Sequence, residues 1–234
     1  MKMAQEKIEK SIKRMYKLLS QTYRGNWQNR WQGAPYFNQA VEEGKVESIV
    51  GHTWATMEFW FLLRRICPQL DSLVNSIEVY EILLNHDLGE TEKGDVPLYQ
   101  KIKGVVDDKM VERQGIEKLS EQLPRIKKEL LRWFDEFEGE VKTINKLEIL
   151  LARWINNLHG NHFALTFGKR LAHFSKEINS ILQIRFVPYT NRLIQVLKQR
   201  GEKEAVEEVK QIAKQHVKLI KAAGINFDTS RLKI

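Results

Sequence analysis

The stretch NHDLGETEKGD, residues 85–95, places a histidine beside an aspartate and adds two further acidic side chains at short spacing. On a continuous helix His86 and Asp87 would point about 100° apart, so both reach one point only near a helix end. Glu90 follows three and four residues later, on the face that both share. Imidazole and carboxylate ligands suit Zn, Mn, Fe, Co or Ni. The stretch is therefore a candidate metal site; the alternative is a buried histidine bonded to a backbone carbonyl, followed by a helix-capping aspartate.

A second histidine lies 34 residues earlier, in an apolar segment of the same kind. His52 belongs to residues 48–66, whose apolar pattern predicts a buried helix that ends at Cys67 and Pro68. Residues 71–86 predict a second apolar helix. If the two helices pack side by side, His52 can face His86.

The rest of the chain also has helical periodicity, and no segment has a convincing strand pattern. Residues 24–46 contain three glycines and a proline, which predicts a long loop with aromatic anchors. Further helices are predicted at 3–20, 105–122, 124–138, 141–160 with Gly160 as the stop, 165–183, 188–200 and 202–223 ending at Gly224. The expected architecture is all-α, with residues 1–234 forming a single domain.

Composition limits the classes of function. Hydrophobic residues make up 42% and charged residues 29% of 234 residues, as in soluble globular proteins. The formal charge of +8 favours anionic partners such as nucleotides, although nucleic acid binding is not expected because no aromatic-basic pattern accompanies it. Cys67 is the single cysteine, which excludes a disulfide framework and agrees with a cytoplasmic location. No segment predicts a signal peptide or a membrane span.

The order of the motifs ESIVGH (47–52), HDLGETEKGD (86–95) and FEGEVKTINKLE (137–148) resembles the HD-domain metal-dependent phosphohydrolases. Within them, the chain is similar to the 5'-deoxynucleotidase-like branch, in which a glutamate follows the His-Asp pair by three residues and an aspartate follows that glutamate by five. Glu90 and Asp95 match both spacings. The resemblance covers about residues 12–165 and implies an HD-type helical bundle. Residues 166–234 would then be a C-terminal helical extension.

The resemblance implies a role for each matching residue. One divalent transition metal (Mn, Co, Ni, Fe or Zn) would be held by His52, His86 and Asp87. Glu90 and Asp87 would act in catalysis, Glu90 by positioning or deprotonating the attacking water. Asp95 would contact the sugar and help to select deoxyribose. Arg30 would bind the phosphate and Trp31 would line the pocket. Arg24 is the alternative phosphate ligand if Arg30 does not fill this role.

One position departs from the family pattern. The family places its fourth ligand, an aspartate, just before a KLE-like segment, and here Asn145 takes that place. An amide oxygen can coordinate a metal, but it is neutral, so the set His-His-Asp-Asn leaves one positive charge on a divalent ion. We expect lower metal affinity and a more acidic bound water as a result.

The resemblance leaves three functions open. The first is a phosphomonoesterase acting on 2'-deoxyribonucleoside 5'-monophosphates or related nucleotides. The second is a nucleotide-binding or regulatory protein whose catalysis is weakened by Asn145. The third is an HD hydrolase of nucleoside triphosphates, alarmones or cyclic dinucleotides; Thr91 argues against alarmones, whose hydrolases carry a Glu-Asp pair at this point. We expect a nucleotide-sized phosphorylated substrate, a homodimer and no membrane association.

Overall fold

The structure is a computed structural model, and it describes residues 14–17, 21, 23–26, 28–31, 34–38, 42–44, 47–94, 108–121 and 123–234. Residues 14–17 are helical and belong to the predicted helix 3–20, most of which lies outside the described residues. No strand occurs within the described ranges; the only β feature there is an isolated antiparallel bridge between Asn29 and Ser48. The all-α prediction is confirmed.

The first long helix, α1 (Ile49–Ile66), follows the predicted apolar segment. Ser48 precedes it, and its Oγ accepts a hydrogen bond of 3.0 Å from the backbone nitrogen of Gly51. This contact satisfies one of the amide groups that lack a partner at a helix start. Pro68 then opens a short helix, α2 (Pro68–Ser72), since proline cannot continue α1.

The prediction of one helix over 71–86 is wrong at its N-terminal end. The chain leaves α2 at Ser72 and starts α3 (Ser76–Asn85) after an irregular segment. Asn75 Oδ1 accepts a hydrogen bond of 3.1 Å from the backbone nitrogen of Ile77. Because asparagine bonds the backbone in this way, it favours a new helix start over a continuous helix.

The remaining helices complete the described chain. They are α4 (Glu90–Lys93), α5 (Asp108–Ser120), α6 (Pro124–Phe137), α7 (Leu147–Phe167), α8 (Ser175–Ile184), α9 (Phe186–Gln199) and α10 (Lys203–Ala222). Short 3-10 helices occur at Tyr23–Asn26, Pro35–Phe37 and Leu171–Phe174. The first two lie in the segment predicted as a loop, and α4 follows the His-Asp pair directly.

Helix α7 corrects the predicted helix 141–160. It begins later and continues through Gly160 to Phe167. Phe163, beyond the predicted stop, stacks on Phe37 with ring centroids 5.6 Å apart. Burying this aromatic surface outweighs the roughly 1 kcal/mol that glycine costs inside a helix. The helix stops instead at Gly168, and so the predicted helix 165–183 is interrupted before α8 begins.

The described chain divides into two compact units. The first unit draws on the described residues within 1–34, 46–54 and 84–138, and the second on those within 35–45, 55–83 and 139–234. The expectation of a single domain stays a prediction. None of the described helices has the length and apolar content required to cross a lipid bilayer.

The core of the second unit forms between α7, α9 and α10. Trp154, Leu193 and Ile220 are fully buried there, and Trp154 Nε1 donates a 3.0 Å hydrogen bond to Thr190 Oγ1. Helix α10 also contacts α2, where the Glu208 carboxylate accepts hydrogen bonds from the backbone nitrogens of Gln69 (3.1 Å) and Leu70 (2.8 Å). The C-terminal helices are thus part of the packing of the second unit.

Candidate metal centre

The backbone after α3 decides how His86 and Asp87 can work together. Helix α3 ends at Asn85, and residues 86–89 form a turn. The backbone nitrogen of Leu88 donates to the carbonyl of Asn85 (3.1 Å), and that of Glu90 donates to the carbonyl of Asp87 (3.1 Å). These bonds span three residues and are tighter than those of an α-helix. The helix therefore ends where two adjacent side chains can be directed to the same point.

His52, His86 and Asp87 lie together in the first unit. His52 Nε2 is 3.3 Å from His86 Nε2 and 3.6 Å from Asp87 Oδ2, while His86 Nε2 is 3.3 Å from Asp87 Oδ1. The two imidazole rings are 5.3 Å apart between centroids. The structure thus brings the three predicted metal ligands to one point, from two segments far apart in sequence. That they hold an ion stays a prediction.

This triangle of donor atoms fits a metal ion. Two imidazole nitrogens bound at about 2.1 Å are separated by roughly 3.0–3.4 Å when the angle at the metal is about 90–109°. The distance between His52 Nε2 and His86 Nε2 falls within this range. Two nitrogens and a carboxylate oxygen are also the donor types that divalent transition metals take.

The site is shielded from solvent. His52 is 0% exposed, His86 5% and Asp87 9%. The His86 ring packs against the ring of Phe137, the last residue of α6, with centroids 5.3 Å apart. Burial of this kind strengthens the interaction between a cation and its ligands, because little water is present to screen it.

Two glycines place the segment that carries Asp87 and Glu90 close to α5. A Cβ atom on Gly89 would lie 2.9 Å from the Cα of Glu112 and would collide with its carbonyl group. A Cβ on Gly115 would lie 2.5 Å from the carbonyl oxygen of Gly89. The two backbones can approach this closely only because both residues lack a side chain. Neither glycine was predicted as a site residue, because no local pattern in the sequence marks a contact between residues 26 positions apart.

Glu90 is the first residue of α4 and is 2% exposed. It follows Asp87 by one tight turn, so its carboxylate belongs to the segment that carries two of the candidate ligands. Its predicted role in handling the proton of water stays a prediction.

Arg30 and Trp31 are connected to this site through Asp87 and Glu47. Arg30 Nη1 forms an ion pair with Asp87 Oδ2, and Arg30 Nε is 3.6 Å from Glu47 Oε2. Trp31 Nε1 donates a hydrogen bond of 2.9 Å to the same Glu47 oxygen. The structure therefore places both residues beside the candidate metal ligands. Their roles towards a phosphate stay predictions, as does that of Arg24, which lies in the 3-10 helix Tyr23–Asn26.

Glu47 was not predicted as a site residue. It is buried, and its Oε1 lies 3.5 Å from His52 Nδ1. The sequence carried a weak signal for it, because Glu47 stands five residues before His52 in the ESIVGH motif. Only the folded chain shows that its two oxygens face different partners.

Two predicted site residues remain, Asn145 and Asp95. Asn145 is an exposed residue of the second unit; its Oδ1 accepts a 2.8 Å hydrogen bond from Arg192 Nη2, and its backbone oxygen accepts one of 3.3 Å from Arg200 Nη2. Arg192 thus uses the amide oxygen that would bind a metal, and the fourth-ligand role of Asn145 stays a prediction. Asp95 lies outside the described residues, so its predicted contact with a sugar stays a prediction.

The charges of the site favour a cation. Glu47, Asp87 and Glu90 are buried carboxylates, and Arg30 is the guanidinium that pairs with the first two. Three buried carboxylates around two imidazoles give the site acceptor oxygens and nitrogens of the kinds that attract a divalent cation.

Comparison with known proteins places the chain in a family. The family profile described as HD domain matches residues 37–185, which include His52, His86, Asp87 and Glu90. A search of curated proteins finds no match. Among solved structures, the chain is similar to a predicted metal-dependent phosphohydrolase from Magnetospirillum magnetotacticum MS-1, with a TM-score of 0.58 and 17% identity. The likeness covers 86% of this chain and 96% of that one, and at this identity it shows a shared fold.

The profile match spans well over half of the 234 residues and contains the cluster of two histidines and an aspartate. The chain belongs to the HD-domain family.

Proposed function

We propose that this protein is a metal-dependent phosphohydrolase, and that its substrate is a phosphomonoester of nucleotide size. The observation that carries the proposal is the buried triangle of His52, His86 and Asp87, whose donor atoms are 3.3–3.6 Å apart. The solved structure of similar fold is described as a predicted metal-dependent phosphohydrolase, which supports the same assignment.

The two histidines and Asp87 would hold one divalent ion of Mn, Co, Ni, Fe or Zn. Such an ion supplies Lewis acidity, which makes water more acidic and polarises a phosphoryl oxygen. The near-complete burial of His52 and His86 limits the positions that they can adopt, so these side chains are held ready for binding. Pre-set ligands of this kind lose little conformational entropy when the ion arrives.

Arg30 would bind the phosphate, and Glu90 would move the proton. A guanidinium presents a planar fork of N–H groups that matches two phosphate oxygens. Arg30 already lies against Asp87, so a phosphate bound to it would be within reach of the ion's ligands. Glu90 starts the turn of helix that follows Asp87, and a carboxylate in that place can accept a proton from an attacking water.

The finer proposal is that the substrate is a 2'-deoxyribonucleoside 5'-monophosphate. The spacing of Glu90 and Asp95 supports it, because this pattern resembles the 5'-deoxynucleotidase-like branch. In this proposal the Asp95 carboxylate accepts a hydrogen bond from the 3'-hydroxyl group and sterically excludes a 2'-hydroxyl group. Equal rates of hydrolysis on deoxyribonucleotides and ribonucleotides would contradict this role.

A second candidate is a nucleotide-binding protein with weakened catalysis. The observation in its favour is that Asn145 replaces the family's aspartate and that its amide oxygen accepts a hydrogen bond from Arg192. Such a protein would bind deoxynucleoside monophosphates without releasing phosphate. Asn145→Asp tests this, because a restored carboxylate ligand would raise metal affinity and turnover together.

The test begins with protein stripped of metal by a chelator. Mn, Co, Ni, Fe and Zn are added separately, and phosphate release is measured on a panel of deoxyribonucleoside and ribonucleoside monophosphates. We expect activity that depends on added metal, and its loss in His86→Ala together with the bound metal. The matched control is His173→Ala, which removes an exposed histidine of the second unit. Phosphate release that survives both chelation and His86→Ala would refute the proposal.

A further inference from the structure

We infer that Glu47 is a positioning residue that links the Nδ1 side of His52, opposite its metal-binding Nε2, to the Arg30–Trp31 segment. The inference deepens the proposed function, and it rests on His52 being a metal ligand. Glu47 itself would touch neither metal nor substrate. Its role would be to orient the groups that do.

The two nitrogens of His52 face different partners. Nε2 lies with His86 Nε2 and Asp87 Oδ2, at 3.3 and 3.6 Å, and Nδ1 lies 3.5 Å from Glu47 Oε1. A neutral imidazole binds a metal through its unprotonated nitrogen, so binding through Nε2 requires the proton on Nδ1. A carboxylate on the Nδ1 side stabilises that tautomer and fixes the ring orientation.

The two carboxylate oxygens of Glu47 also contact different residues. Oε1 faces His52 Nδ1, while Oε2 accepts the hydrogen bond from Trp31 Nε1 at 2.9 Å and lies 3.6 Å from Arg30 Nε. Trp31 and Arg30 present N–H groups to Oε2, and His52 presents one to Oε1 in the tautomer that metal binding through Nε2 requires, so each carboxylate oxygen has a donor to accept from. Glutamine has the same shape but only one acceptor oxygen, and its NH2 group would meet an N–H donor in either orientation.

The backbone around Glu47 adds a reason for this arrangement. Trp31 has a φ of 65°, in the left-handed region that is strained for a bulky side chain. The backbone nitrogen of Arg30 donates to the carbonyl oxygen of Glu47 at 2.7 Å, and that of Ala34 to the carbonyl oxygen of Trp31 at 3.1 Å. Glu47 thus holds the strained segment by main chain and side chain. Strain of this kind persists only where surrounding contacts over-determine it.

One residue would therefore affect two properties of the site. Through His52 it would affect metal affinity, and through Arg30 and Trp31 it would affect the binding of the phosphorylated substrate. Removal of a group that orients a metal-bound histidine costs about 10–100-fold in metal affinity. We expect Glu47→Gln to weaken Co²⁺ binding by about that factor and to raise KM at saturating metal.

The test compares five proteins by equilibrium titration with Co²⁺: wild type, Glu47→Gln, Trp31→Phe, the double variant of both, and Ser48→Ala. Trp31→Phe removes the N–H group that donates to Oε2 at 2.9 Å and leaves Arg30 Nε at 3.6 Å, beyond hydrogen-bond distance, so the glutamine oxygen can turn to His52. The double variant should therefore recover most of the affinity lost in Glu47→Gln, a non-additive result that general damage would not give. Ser48→Ala is the matched control, since it weakens the start of α1 through the Gly51 contact. It should lower the Tm and leave Co²⁺ affinity unchanged.

The second measurement uses metal-free protein and needs no activity. Nitrogen-15 NMR of the histidine rings reports which nitrogen of His52 carries the proton. We expect the Nδ1–H tautomer in wild type and a mixture of tautomers in Glu47→Gln. If the tautomer and the Co²⁺ affinity are both unchanged in Glu47→Gln, the inference is wrong, even if the protein is an active phosphohydrolase.

The outcomes separate this inference from the proposed function. A wild type that binds Co²⁺ but hydrolyses no phosphomonoester would refute the proposed function, and the affinities and tautomers would still decide the role of Glu47. A wild type that takes no Co²⁺ leaves the decision to the tautomer in metal-free protein. If Glu47→Gln fails to fold, Trp31→Phe alone decides. This variant should keep the Nδ1–H tautomer of His52 and the Co²⁺ affinity of wild type. Loss of both would overturn the inference that Glu47 Oε1 orients His52 independently of the contact between Oε2 and Trp31.

Discussion

His216 offers a test of the structure through the pH dependence of stability. It lies on α10, is buried, and packs against the Phe186 ring with centroids 5.1 Å apart. Among the described residues its Nε2 has no hydrogen-bond partner. Burial, and to a smaller extent the charge of His162, lowers the pKa of His216 from 6.5 to about 4. The folded protein therefore holds this imidazole neutral over a range in which the unfolded chain protonates it.

The sign and size of the effect follow from the two pKa values. Above pH 6.5 the group is neutral in both states and contributes no pH dependence. As the pH falls from 6.5 to 4, the unfolded chain takes up a proton that the folded chain does not, so the free energy of unfolding decreases. The full difference is 2.5 pH units, or about 3 kcal/mol, and about 2 kcal/mol of it is lost by pH 5.

The assay is urea denaturation of wild type and His216→Leu at pH 7.5 and pH 5. The wild type should lose about 2 kcal/mol more than the variant between these two values, because leucine cannot be protonated. His173→Gln, at an exposed position, is the control and should behave as wild type. A variant that loses as much stability as the wild type would show that His216 is accessible to protons in the folded protein. The burial described for α10 would then be incorrect.

Three further predictions address other contacts. Gly89→Ala should lower the free energy of unfolding by about 1–3 kcal/mol and also weaken metal binding, because a Cβ there meets the backbone of Glu112; calorimetry and Co²⁺ titration measure the two effects. Burial, with a smaller contribution from Glu208, raises the pKa of Cys67 to about 11, so alkylation at pH 8 should be about 100-fold slower than for a thiol of pKa 9 and should speed up only on unfolding. Glu208→Gln should cost about 1–2 kcal/mol, since the carboxylate accepts hydrogen bonds from the start of α2 at Leu70; an unchanged urea midpoint would contradict this.

The sequence alone determined the helices whose apolar pattern is long and clearly ended. Residues 48–66, 105–122, 124–138 and 202–223 were predicted as helices, and α1, α5, α6 and α10 occupy nearly those ranges. Pro68 follows the end of α1, Gly139 that of α6 and Gly224 that of α10, and Gly224 has the positive φ of 79° expected after a helix. These features depend on neighbours within one or two turns, and so a single sequence contains them.

The sequence also limited where the candidate site could form, because His86 and Asp87 are adjacent in it. Because His86 and Asp87 are neighbours, they could share a partner only at a helix end, and the structure ends α3 at Asn85. The order of motifs indicated that His52 would join them, and the structure places its Nε2 3.3 Å from that of His86. The sequence could predict this meeting because the order of its motifs resembles that of the HD-domain family, whereas adjacency alone required only a helix end at His86 and Asp87.

Tertiary structure alone decided the contacts that depend on several helices at once. The path of α7 through Gly160 follows from aromatic packing of Phe163 on Phe37, which no local signal encodes. The close approach of Gly89 to α5 and the division of the Glu47 oxygens between His52 and Trp31 have the same origin. A local pattern is set by the propensities of a few neighbouring residues, whereas these contacts join residues from 5 to 126 positions apart and exist only when the surrounding surfaces are packed together.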